Sequence, residues 1–453
     1  MTTLAGAVLV SGNSWATPAA APVRAGTEQV PADPGPQLQR SLRAAAAPGD
    51  LRTPFETSNG ATWTTLQQAQ RFRRQLAASS DRVAVERVGR SVTGEPIQLV
   101  SVGYPTPKTK ADAAEGSVVL FNCSIHGNEP SGREACLQLA RDMAVTADPS
   151  WRRLLTDTTV LFVNINPDGW QANTRGNGDG VDINRDFLQL ATPEAQALTK
   201  IMRDWKPDIL NDLHEFGPRE FYNTQTLLLW PRNRNVDPAI HSLSKRMVNQ
   251  YTGAQIEANG HTTGVYGELV KDGKPFLQVA GDHQARILRN YAGLRHQVGQ
   301  LTETASRAVT SAEENDATLL NRRRVSDQYA SAVGSMSMML ENRGVLARQT
   351  AAAEQRATQA GAARSGVVYF SGQDSMLPTS SGSVEPRPMC GYQLTAAQLE
   401  QVRANLRLQG ISWKRNAGGA YVTMAQPARG LIPLLLDERA QYGIAKAEAV
   451  TSC

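Results

Sequence analysis

The chain has 453 residues, enough to bury a large core and to form more than one domain. Apolar residues make up 41% and charged residues 20%, as in an ordinary globular protein. The net charge of +5 is small for this length and the basic residues are scattered, which argues against a nucleic-acid partner. No run approaches the roughly 18 consecutive apolar residues of a membrane span.

Residues 1–58 are rich in Ala, Pro, Gly and Thr and show no periodicity, so we interpret them as a leader and a disordered linker. An apolar run at Leu4–Val10 precedes small residues at Ala16–Pro22, which resembles the end of a secretory signal. No basic residue precedes Arg24, so the usual basic start is missing, and a plain Ala/Pro-rich leader is the alternative. We favour a secreted, extracellular protein.

Four cysteines are too few for a disulfide scaffold. Cys123 and Cys136 fall on a predicted strand and a predicted helix, where we expect them to be small buried residues. Cys390 and Cys453 bracket the last segment of the chain. In an oxidising compartment a Cys390–Cys453 disulfide would tie down the C-terminus, whereas cytoplasmic thiols would stay free.

After the leader, the sequence predicts a helix and a hairpin. Apolar residues at helical spacing indicate a helix over Thr62–Ala77. Val83–Val88 and Ile97–Val102 indicate two strands, and the turn sequence T-G-E-P at residues 93–96 joins them.

From residue 118 onward, apolar strands alternate with amphipathic helices. The predicted strands are Val118–Cys123, Val160–Asn164, Ile209–Leu213, Leu227–Trp230 and Val298–Thr302. The predicted helices are Ser131–Ala144, Pro193–Trp205, Ala239–Tyr251 and Gln284–His296. This alternation predicts an α/β fold with a mixed, mostly parallel central sheet and helices on both faces. In such sheets, sites gather beyond the C-terminal ends of the strands.

Residues 322–363 are rich in Ala, Gln and Arg and predict long surface helices. We interpret the run Arg322–Arg324 as a solvated helix face. Residues 365–388 predict a loop, because Gly, Ser and Pro dominate them.

A small module closes the chain. A capping box at Thr395 opens a predicted helix that ends near Leu408, and predicted strands follow at Ile411–Lys414 and Ala420–Met424. The expected division is an α/β domain over 59–345, followed over 346–453 by a helical extension and a C-terminal α+β module.

An imidazole and a carboxylate three residues apart follow the strand Val118–Cys123, in a loop that carries His126 and Glu129. His214 follows another predicted strand. Each residue alone is more typical of a surface loop or a structural histidine. Together they form a His/Glu/His set, a common shell for a catalytic zinc ion that also takes a water. We therefore expect one metal ion at these three residues.

A long loop rich in Asn, Asp and Gly lies between the two histidines, and long loops in compact domains are often functional. The loop carries Arg175 and Arg185, whose guanidinium groups suit an oxyanion or a carboxylate. Its acidic residues do not have the spacing of a calcium-binding loop.

The order of these motifs resembles the zinc carboxypeptidase family of carboxypeptidases A and B. The shared motifs are V-G-R-S-V-T-G-E-P-I at residues 88–97, H-x-x-E at 126–129, N-P-D-G at 166–169, R-x-N at 175–177, G-V-D-x-N-R at 180–185 and the later strand-end His214. The resemblance covers residues 61–307 and implies the same fold. Its ordered combination of motifs is specific.

The resemblance implies one Zn²⁺ per chain, bound by His126, Glu129 and His214. Asp182 would orient a zinc-bound histidine from behind. Arg175 would polarise the scissile carbonyl of the substrate and stabilise the oxyanion.

The resemblance also implies that Asn184 and Arg185 hold the C-terminal carboxylate of the substrate. The family requires a late glutamate that activates the zinc-bound water, and two positions compete. Glu303 ends a strand-like segment after a helix, as the family arrangement requires, whereas Glu341 lies in a helical region. We choose Glu303 as the general base.

Asp186 departs from the family pattern, in which Asn often follows N-R. An extra negative charge beside Arg185 would weaken a preference for a free C-terminal carboxylate. The tyrosine that several members place on a mobile loop also has no obvious counterpart here.

The resemblance implies a metallocarboxypeptidase that hydrolyses C-terminal residues from peptides or proteins. A zinc amidohydrolase that acts on murein peptides or acyl-amino acids is the alternative, which Asp186 keeps open. A secreted, non-catalytic binding protein on the same scaffold is the third hypothesis.

Overall fold

A computed structural model describes residues 51–113, 116–217, 224–271, 274–277, 283–372 and 381–453, together with Gln39. The predicted leader therefore lies outside the described residues, apart from Gln39. Part of the predicted linker is described and ordered: helix α1 (Pro54–Thr57) has a capping box between Thr53 and Glu56 and buries Phe55. In the described part of the chain, no helix is both long enough and apolar enough to cross a membrane.

An eight-stranded sheet forms the centre of the fold, with strand order β1-β2-β4-β3-β5-β10-β6-β7. Its strands are β1 (Val83–Arg90), β2 (Pro96–Val102), β3 (Ser117–Ser124), β4 (Thr158–Asn164), β5 (Ile209–Phe216), β6 (Thr226–Leu229), β7 (Thr263–Val265) and β10 (Val298–Ala305). The pairs β3–β4, β3–β5, β5–β10 and β6–β7 are parallel, and the other three pairs are antiparallel. A separate hairpin joins β8 (Glu268–Lys271) to β9 (Lys274–Leu277). The predicted mixed, mostly parallel sheet is confirmed.

The central strands β3, β4 and β5 are buried along their whole length. Successive side chains of a strand point to opposite faces of the sheet, so burial of every residue means that both faces are covered. Their nearly continuous apolar sequences are typical of strands in that position.

Helices surround the sheet. Those of the α/β region are α2 (Leu66–Ser79), α3 (Lys110–Ala113), α4 (Pro130–Val145), α5 (Pro149–Asp157), α6 (Pro167–Ala172), α7 (Pro193–Trp205), α8 (Pro238–Arg246), α9 (Gly253–Glu257), α10 (Leu288–Leu294), α11 (Ser311–Asn315) and α12 (Ala317–Ala362). A π-helical turn, Met247–Thr252, follows α8, so the helix predicted over Ala239–Tyr251 is not regular throughout.

The prediction of a solvated face on α12 was wrong for two of its three arginines. Arg323 is 4% exposed and Arg324 is 8% exposed. Arg323 donates to Glu313 at 2.8 Å, and Arg324 pairs with Glu215. Buried charges need partners of opposite sign, and here residues outside the helix supply them, together with Asp327 one turn further along it. The first half of α12 is therefore a core helix rather than a surface helix.

The prediction that Cys123 and Cys136 are simply small buried residues was incomplete. Both are buried, and they form a disulfide. Helix α4 packs on β3, which brings the two cysteines together across the loop that carries His126 and Glu129.

The C-terminal module contains a four-stranded antiparallel sheet in the order β14-β15-β13-β16. Its elements, with the short pair that precedes them, are β11 (Val368–Tyr369), β12 (Val384–Glu385), β13 (Gly391–Leu394), α13 (Ala396–Leu408), β14 (Lys414–Asn416), β15 (Gly419–Thr423), α14 (Ile432–Leu436) and β16 (Glu448–Val450). The capping box at Thr395 and the Cys390–Cys453 disulfide are both present. The strand predicted at Ile411–Lys414 begins only at Lys414. Helix α12 runs across the predicted border at residue 345, and the division into domains remains a prediction.

Candidate metal centre

His126 and Glu129 lie in the tight turn between β3 and α4. The backbone N–H of Glu129 donates to the carbonyl of His126 at 3.2 Å, and Ser124 Oγ donates to the same carbonyl at 2.7 Å. Pro130 then starts α4, where its missing N–H costs nothing. The turn places His126 Nδ1 2.8 Å from Glu129 Oε1.

His214 reaches the same point from β5, which pairs with β3 in parallel. We had expected His214 just beyond the end of the strand, but it lies inside β5. Its Nδ1 is 3.0 Å from His126 Nδ1 and 3.0 Å from Glu129 Oε2. The ligand atoms of His126, Glu129 and His214 all lie within 4.8 Å of one another. Among the described residues, no other His, Cys, Asp and Glu side chains form such a group.

The outward nitrogens of both imidazoles face carboxylates. His126 Nε2 is 3.2 Å from Asp182 Oδ1, and His214 Nε2 is 2.8 Å from Asp212 Oδ2. The contact between His214 and Asp212 is within ion-pair distance. A carboxylate next to Nε2 favours the imidazole tautomer in which Nε2 carries the proton and Nδ1 has a free lone pair. Once both rings are neutral, as a metal requires, two such lone pairs and the Glu129 carboxylate converge, an arrangement that fits a cation.

The electrostatics of the site also favour a cation. Burial alone would raise the pKa of Glu129, but His126 and His214 hold it well below its usual value. Burial alone would lower the pKa of His214, but Asp212 and Glu129 raise it well above 6.5. The carboxylates therefore create a negative potential that a proton on His214 partly neutralises, and a divalent metal would do so more completely.

Glu303 lies beside this cluster because β10 pairs in parallel with β5, in a register that sets Glu303 opposite His214. Burial raises the pKa of Glu303 to about 7, and the nearby Glu129 carboxylate adds to the shift. Its Oε2 has neither exposed surface nor a hydrogen-bond partner in the described protein. Glu341 lies elsewhere, on α12, and accepts a hydrogen bond from Tyr251 at 2.7 Å.

Arg175 extends over the cluster from the long loop. Its Nη1 is 3.1 Å from His126 Nδ1 and 3.4 Å from Glu129 Oε1, and its Nε and Nη2 donate to Asp182 Oδ2 at 3.1 and 3.0 Å. About half of the Arg175 side chain is exposed, so it faces both the cluster and solvent. Asp182 thus contacts both Arg175 and His126, one of the candidate metal-binding residues.

Asn166 holds this loop against the metal-binding turn, a role that the sequence analysis missed. Its Nδ2 donates to the carbonyls of Ile125 at 2.9 Å, Gly176 at 3.1 Å and Arg175 at 3.3 Å. Because Ile125 directly precedes His126, one buried amide fixes the backbone on both sides of the site. The Asn in the N-P-D-G motif was the available signal.

Two further contacts explain why the sequence motifs occur together. A Cβ on Gly127 would overlap the carbonyl carbon of Gly169, so the metal-binding turn packs directly against the N-P-D-G segment. Asp168 accepts hydrogen bonds from Ser91 Oγ at 2.6 Å and Thr93 Oγ1 at 2.5 Å. The turn after β1 is thereby attached to the same loop.

Asn184 and Arg185 follow Asp182 in a short 3₁₀ turn. Asn184 is buried, its Oδ1 accepts from the backbone N–H of Leu288 at 2.8 Å, and its Nδ2 is 3.4 Å from His214 Nε2. Arg185 is half-buried and donates to the carbonyl of Asn184 at 2.9 Å. The amide of Asn184 thus already makes hydrogen bonds within the fold, whereas Arg185 is only half-buried.

The expectation that Asp186 adds charge beside Arg185 was wrong in its geometry. Asp186 is 5% exposed and turns into its own loop. Its carboxylate accepts from the N–H of Ala191 at 3.0 Å and from the N–H and Oγ1 of Thr192, both at 2.7 Å. Its role is to fix the chain that leads into α7.

Asp212 is a second residue that the sequence analysis missed. In a strand, residues two apart lie on the same face, so Asp212 and His214 point to the same side of β5. That D-x-H spacing was the signal. Asn122 Nδ2 donates to the other oxygen of Asp212 at 2.7 Å and orients the carboxylate.

Comparison with known proteins gives three kinds of match. The sequence model of the zinc carboxypeptidase family matches residues 70–341. Carboxypeptidase 2 of Trichophyton rubrum is 29% identical over 275 residues, 58% of this chain and 50% of that protein. Carboxypeptidase E of Caenorhabditis elegans is 33% identical over 119 residues, 23% of this chain and 25% of that protein. The chain thus spans about half the length of its Trichophyton relative.

Solved structures of carboxypeptidases also match. The metallo-carboxypeptidase from Pseudomonas aeruginosa is 20% identical, with a TM-score of 0.45 over 62% of this chain and 69% of that chain. Carboxypeptidase A from Helicoverpa armigera is 16% identical, with a TM-score of 0.44 over 70% of this chain and 80% of that chain. The family match is the decisive one, because it covers more than half of the sequence and includes His126, Glu129, His214 and Glu303. The chain belongs to the zinc carboxypeptidase family.

Proposed function

We propose that this protein is a zinc-dependent metallocarboxypeptidase that releases C-terminal residues from peptides. One observation carries the proposal: three buried side chains direct their ligand atoms at one point, with Glu303 beside them, in a chain of this family. Family membership supports a zinc peptidase in general, and the geometry supports the roles of the individual residues.

His126, Glu129 and His214 would hold one Zn²⁺, with Asp182 and Asp212 orienting the two imidazoles from behind. Three protein ligands leave a fourth position for water or substrate, as in catalytic zinc sites. When bound, zinc supplies a Lewis acid that lowers the pKa of water.

Glu303 would remove a proton from the attacking water and pass it to the leaving amine. Burial raises the pKa of this carboxyl in the metal-free protein, which makes it a stronger base than an ordinary glutamate. Arg175 lies over the cluster with an exposed guanidinium, and it would donate to the oxyanion that develops on the scissile carbonyl.

Arg185 and Asn184 would hold the C-terminal carboxylate of the substrate. The half-exposed guanidinium of Arg185 supports this role. The amidohydrolase alternative depended on a charge from Asp186 beside Arg185. The Asp186 carboxylate is engaged by Ala191 and Thr192, so that hypothesis loses its specific support.

Secretion is part of the same proposal. The described structure contains two disulfides, Cys123–Cys136 and Cys390–Cys453. Disulfides persist in oxidising compartments and are rare in the cytosol.

The direct test is mass spectrometry of a mixed peptide pool incubated with the zinc-loaded protein. We expect ladders that lose single residues from the C-terminus, and we expect a zinc chelator to stop them and added zinc to restore them. Intact peptides from protein that holds one zinc per chain would contradict carboxypeptidase action. Internal cleavage, or release of acyl groups from N-acyl amino acids only, would indicate a different hydrolase.

A further inference from the structure

A second guanidinium, that of Arg286, lies next to Arg185 at the edge of the site. Two contacts align the segments that carry them: the N–H of Phe187 donates to the carbonyl of Arg286 at 3.4 Å, and the N–H of Leu288 donates to Asn184 Oδ1 at 2.8 Å. Both arginine side chains are half-buried. Burial lowers the pKa of Arg286, and the charge of Arg185 lowers it further, so the two cations are close enough to repel each other. Tyr442 and the Asp182 carboxylate act in the opposite direction, but Asp182 makes its ion pair with Arg175.

The C-terminal module holds Arg286 in place. The guanidinium carbon lies 3.7 Å from the ring centroid of Tyr442, and Nη2 donates to the Tyr442 hydroxyl at 3.0 Å. Nε donates to Gln284 Oε1 at 2.8 Å. The side chain of Gln189 donates to the carbonyls of Tyr442 at 3.0 Å and Gly443 at 3.1 Å, which attaches this part of the module to the rim of the site.

Arg286 has no counter-charge at ion-pair distance in the described part of the chain, and its Nη1 donates to no acceptor there. It is a fixed, partly desolvated cation beside another cation, and such a pair is relieved when an anion binds between them. A guanidinium whose Nη1 has no acceptor among the described residues suits a carboxylate oxygen.

We propose that Arg286, oriented by Tyr442, binds a second carboxylate on the C-terminal residue of the substrate, so that the enzyme prefers peptides ending in Asp or Glu. This inference rests on the proposed function, in which Arg185 and Asn184 hold the terminal carboxylate. It also gives the C-terminal module a role at the site, because Tyr442 fixes the guanidinium that reads the side chain.

Arg286 could instead serve only to hold the module against the α/β domain. In that case the substrate preference should not depend on Arg286. Arg295 is the matched control for that role. It lies 5.5 Å from the ring centroid of Tyr291 and donates to the carbonyl of Gln409 in the module at 3.0 Å. Like Arg286, Arg295 contacts a tyrosine ring and joins the α/β domain to the module. Unlike Arg286, it is not aligned with the segment that carries Arg185.

The test compares two N-blocked peptides that differ only in a C-terminal Glu or Gln, using the full-length, zinc-loaded protein. Because hydrogen bonds to charged groups contribute about 1.5–3 kcal/mol, kcat/KM should favour Glu by roughly 10- to 100-fold. Arg286→Met should abolish the preference, Arg286→Lys should keep part of it, and Arg295→Met should leave it unchanged. Equal rates for both peptides, or a preference that survives Arg286→Met, would overturn the inference.

A binding measurement separates this inference from the proposed function. Calorimetry with N-acetyl-L-glutamate and N-acetyl-L-glutamine needs no turnover. Tighter binding of the glutamate, lost in Arg286→Met, supports the inference even if no peptide is hydrolysed. Equal affinities overturn it even if the protein proves to be a carboxypeptidase. Melting temperatures near that of the wild type, with Arg286→Lys as the charge-conserving variant, exclude misfolding as the cause.

Discussion

Oδ2 of Asp212 lies 2.8 Å from Nε2 of His214, on the same face of β5, with both side chains fully buried. The carboxylate fixes the ring so that its other nitrogen faces His126 and Glu129. Asp212→Asn removes the charge but keeps the shape, and we expect it to lower zinc affinity by roughly 10- to 100-fold. Competition with a chromogenic chelator measures the change.

Asp208→Asn is a suitable control for that experiment. Asp208 is also a buried carboxylate near the start of β5, where it accepts from the N–H of Val118 at 3.0 Å. Substitution there perturbs the strand without touching the cluster. Asp212 has no orienting role if both variants bind zinc as tightly as the wild type.

Replacing Glu303 by Gln should reduce kcat by roughly 10²- to 10⁴-fold, because the amide cannot accept the proton of the attacking water. Zinc content should stay at one per chain, since Glu303 is not among the three ligands proposed here. Peptide hydrolysis under saturating substrate, together with metal analysis, separates the two effects.

Glu341→Gln provides the comparison, because Glu341 was the rival candidate in the sequence. Its carboxylate accepts from the Tyr251 hydroxyl, away from the cluster, so kcat should change by less than roughly threefold. A large loss of kcat in Glu341→Gln with a normal Glu303→Gln would reverse the assignment.

Zinc binding should release a proton near neutral pH. Asp212 and Glu129 raise the pKa of His214 well above 6.5 despite its burial, so the metal-free protein carries a proton there at pH 7. A ligand nitrogen must be deprotonated to bind the metal. Affinity should therefore rise with pH until the pH exceeds the raised pKa, and then level off.

Calorimetric titration in buffers of different ionisation enthalpy counts the proton directly. About one proton per zinc is expected at pH 7 from this linkage. A binding enthalpy that is independent of the buffer would show that His214 is already neutral in the metal-free protein.

The two disulfides should differ in their effect on the metal site. Cys123 and Cys136 are 13 residues apart and enclose the turn that carries His126 and Glu129. Loop-closure entropy predicts that the Cys123→Ala/Cys136→Ala variant loses about 3 kcal/mol of unfolding free energy. We also expect faster zinc dissociation, because the turn loses its constraint.

The Cys390→Ala/Cys453→Ala variant is the matched comparison. Its loop of 63 residues predicts a loss of unfolding free energy of about 4 kcal/mol. Zinc dissociation should nevertheless keep the wild-type rate, because that disulfide lies in the C-terminal module. If both variants release zinc equally fast, global stability rather than the local brace controls retention of the metal.

The sequence predicted most of the central sheet because its strands are long apolar runs with polar ends. The predicted helix Pro193–Trp205 has the observed bounds, since Thr192 caps it and Pro193 can only begin it. Boundaries were less accurate where tertiary contacts end the element. Helix α10 covers only Leu288–Leu294 of the predicted Gln284–His296.

The errors share a physical cause, which is that each concerns a partner that only the folded chain brings into contact. Arg324 was predicted to be solvated because its partner, Glu215, is 109 residues away in the sequence. Asp186 reads as part of the binding loop because its acceptor geometry depends on how the chain turns toward Thr192. Pairing of Cys123 with Cys136 required knowing that α4 packs on β3.

Helix α12 has a consequence for how the molecule can be divided. It begins among the buried pairs around Arg323, and it ends where Gly361 packs so closely on Met424 of the C-terminal module that a Cβ would overlap that carbonyl. The family match stops at Glu341, next to a kink in this helix at Asn342. A chain that ends there would lack Leu346 and Ala353, which are both fully buried. It would also lack Tyr442, which contacts Arg286. We therefore predict that a chain ending at residue 341 unfolds at a lower temperature than the full protein.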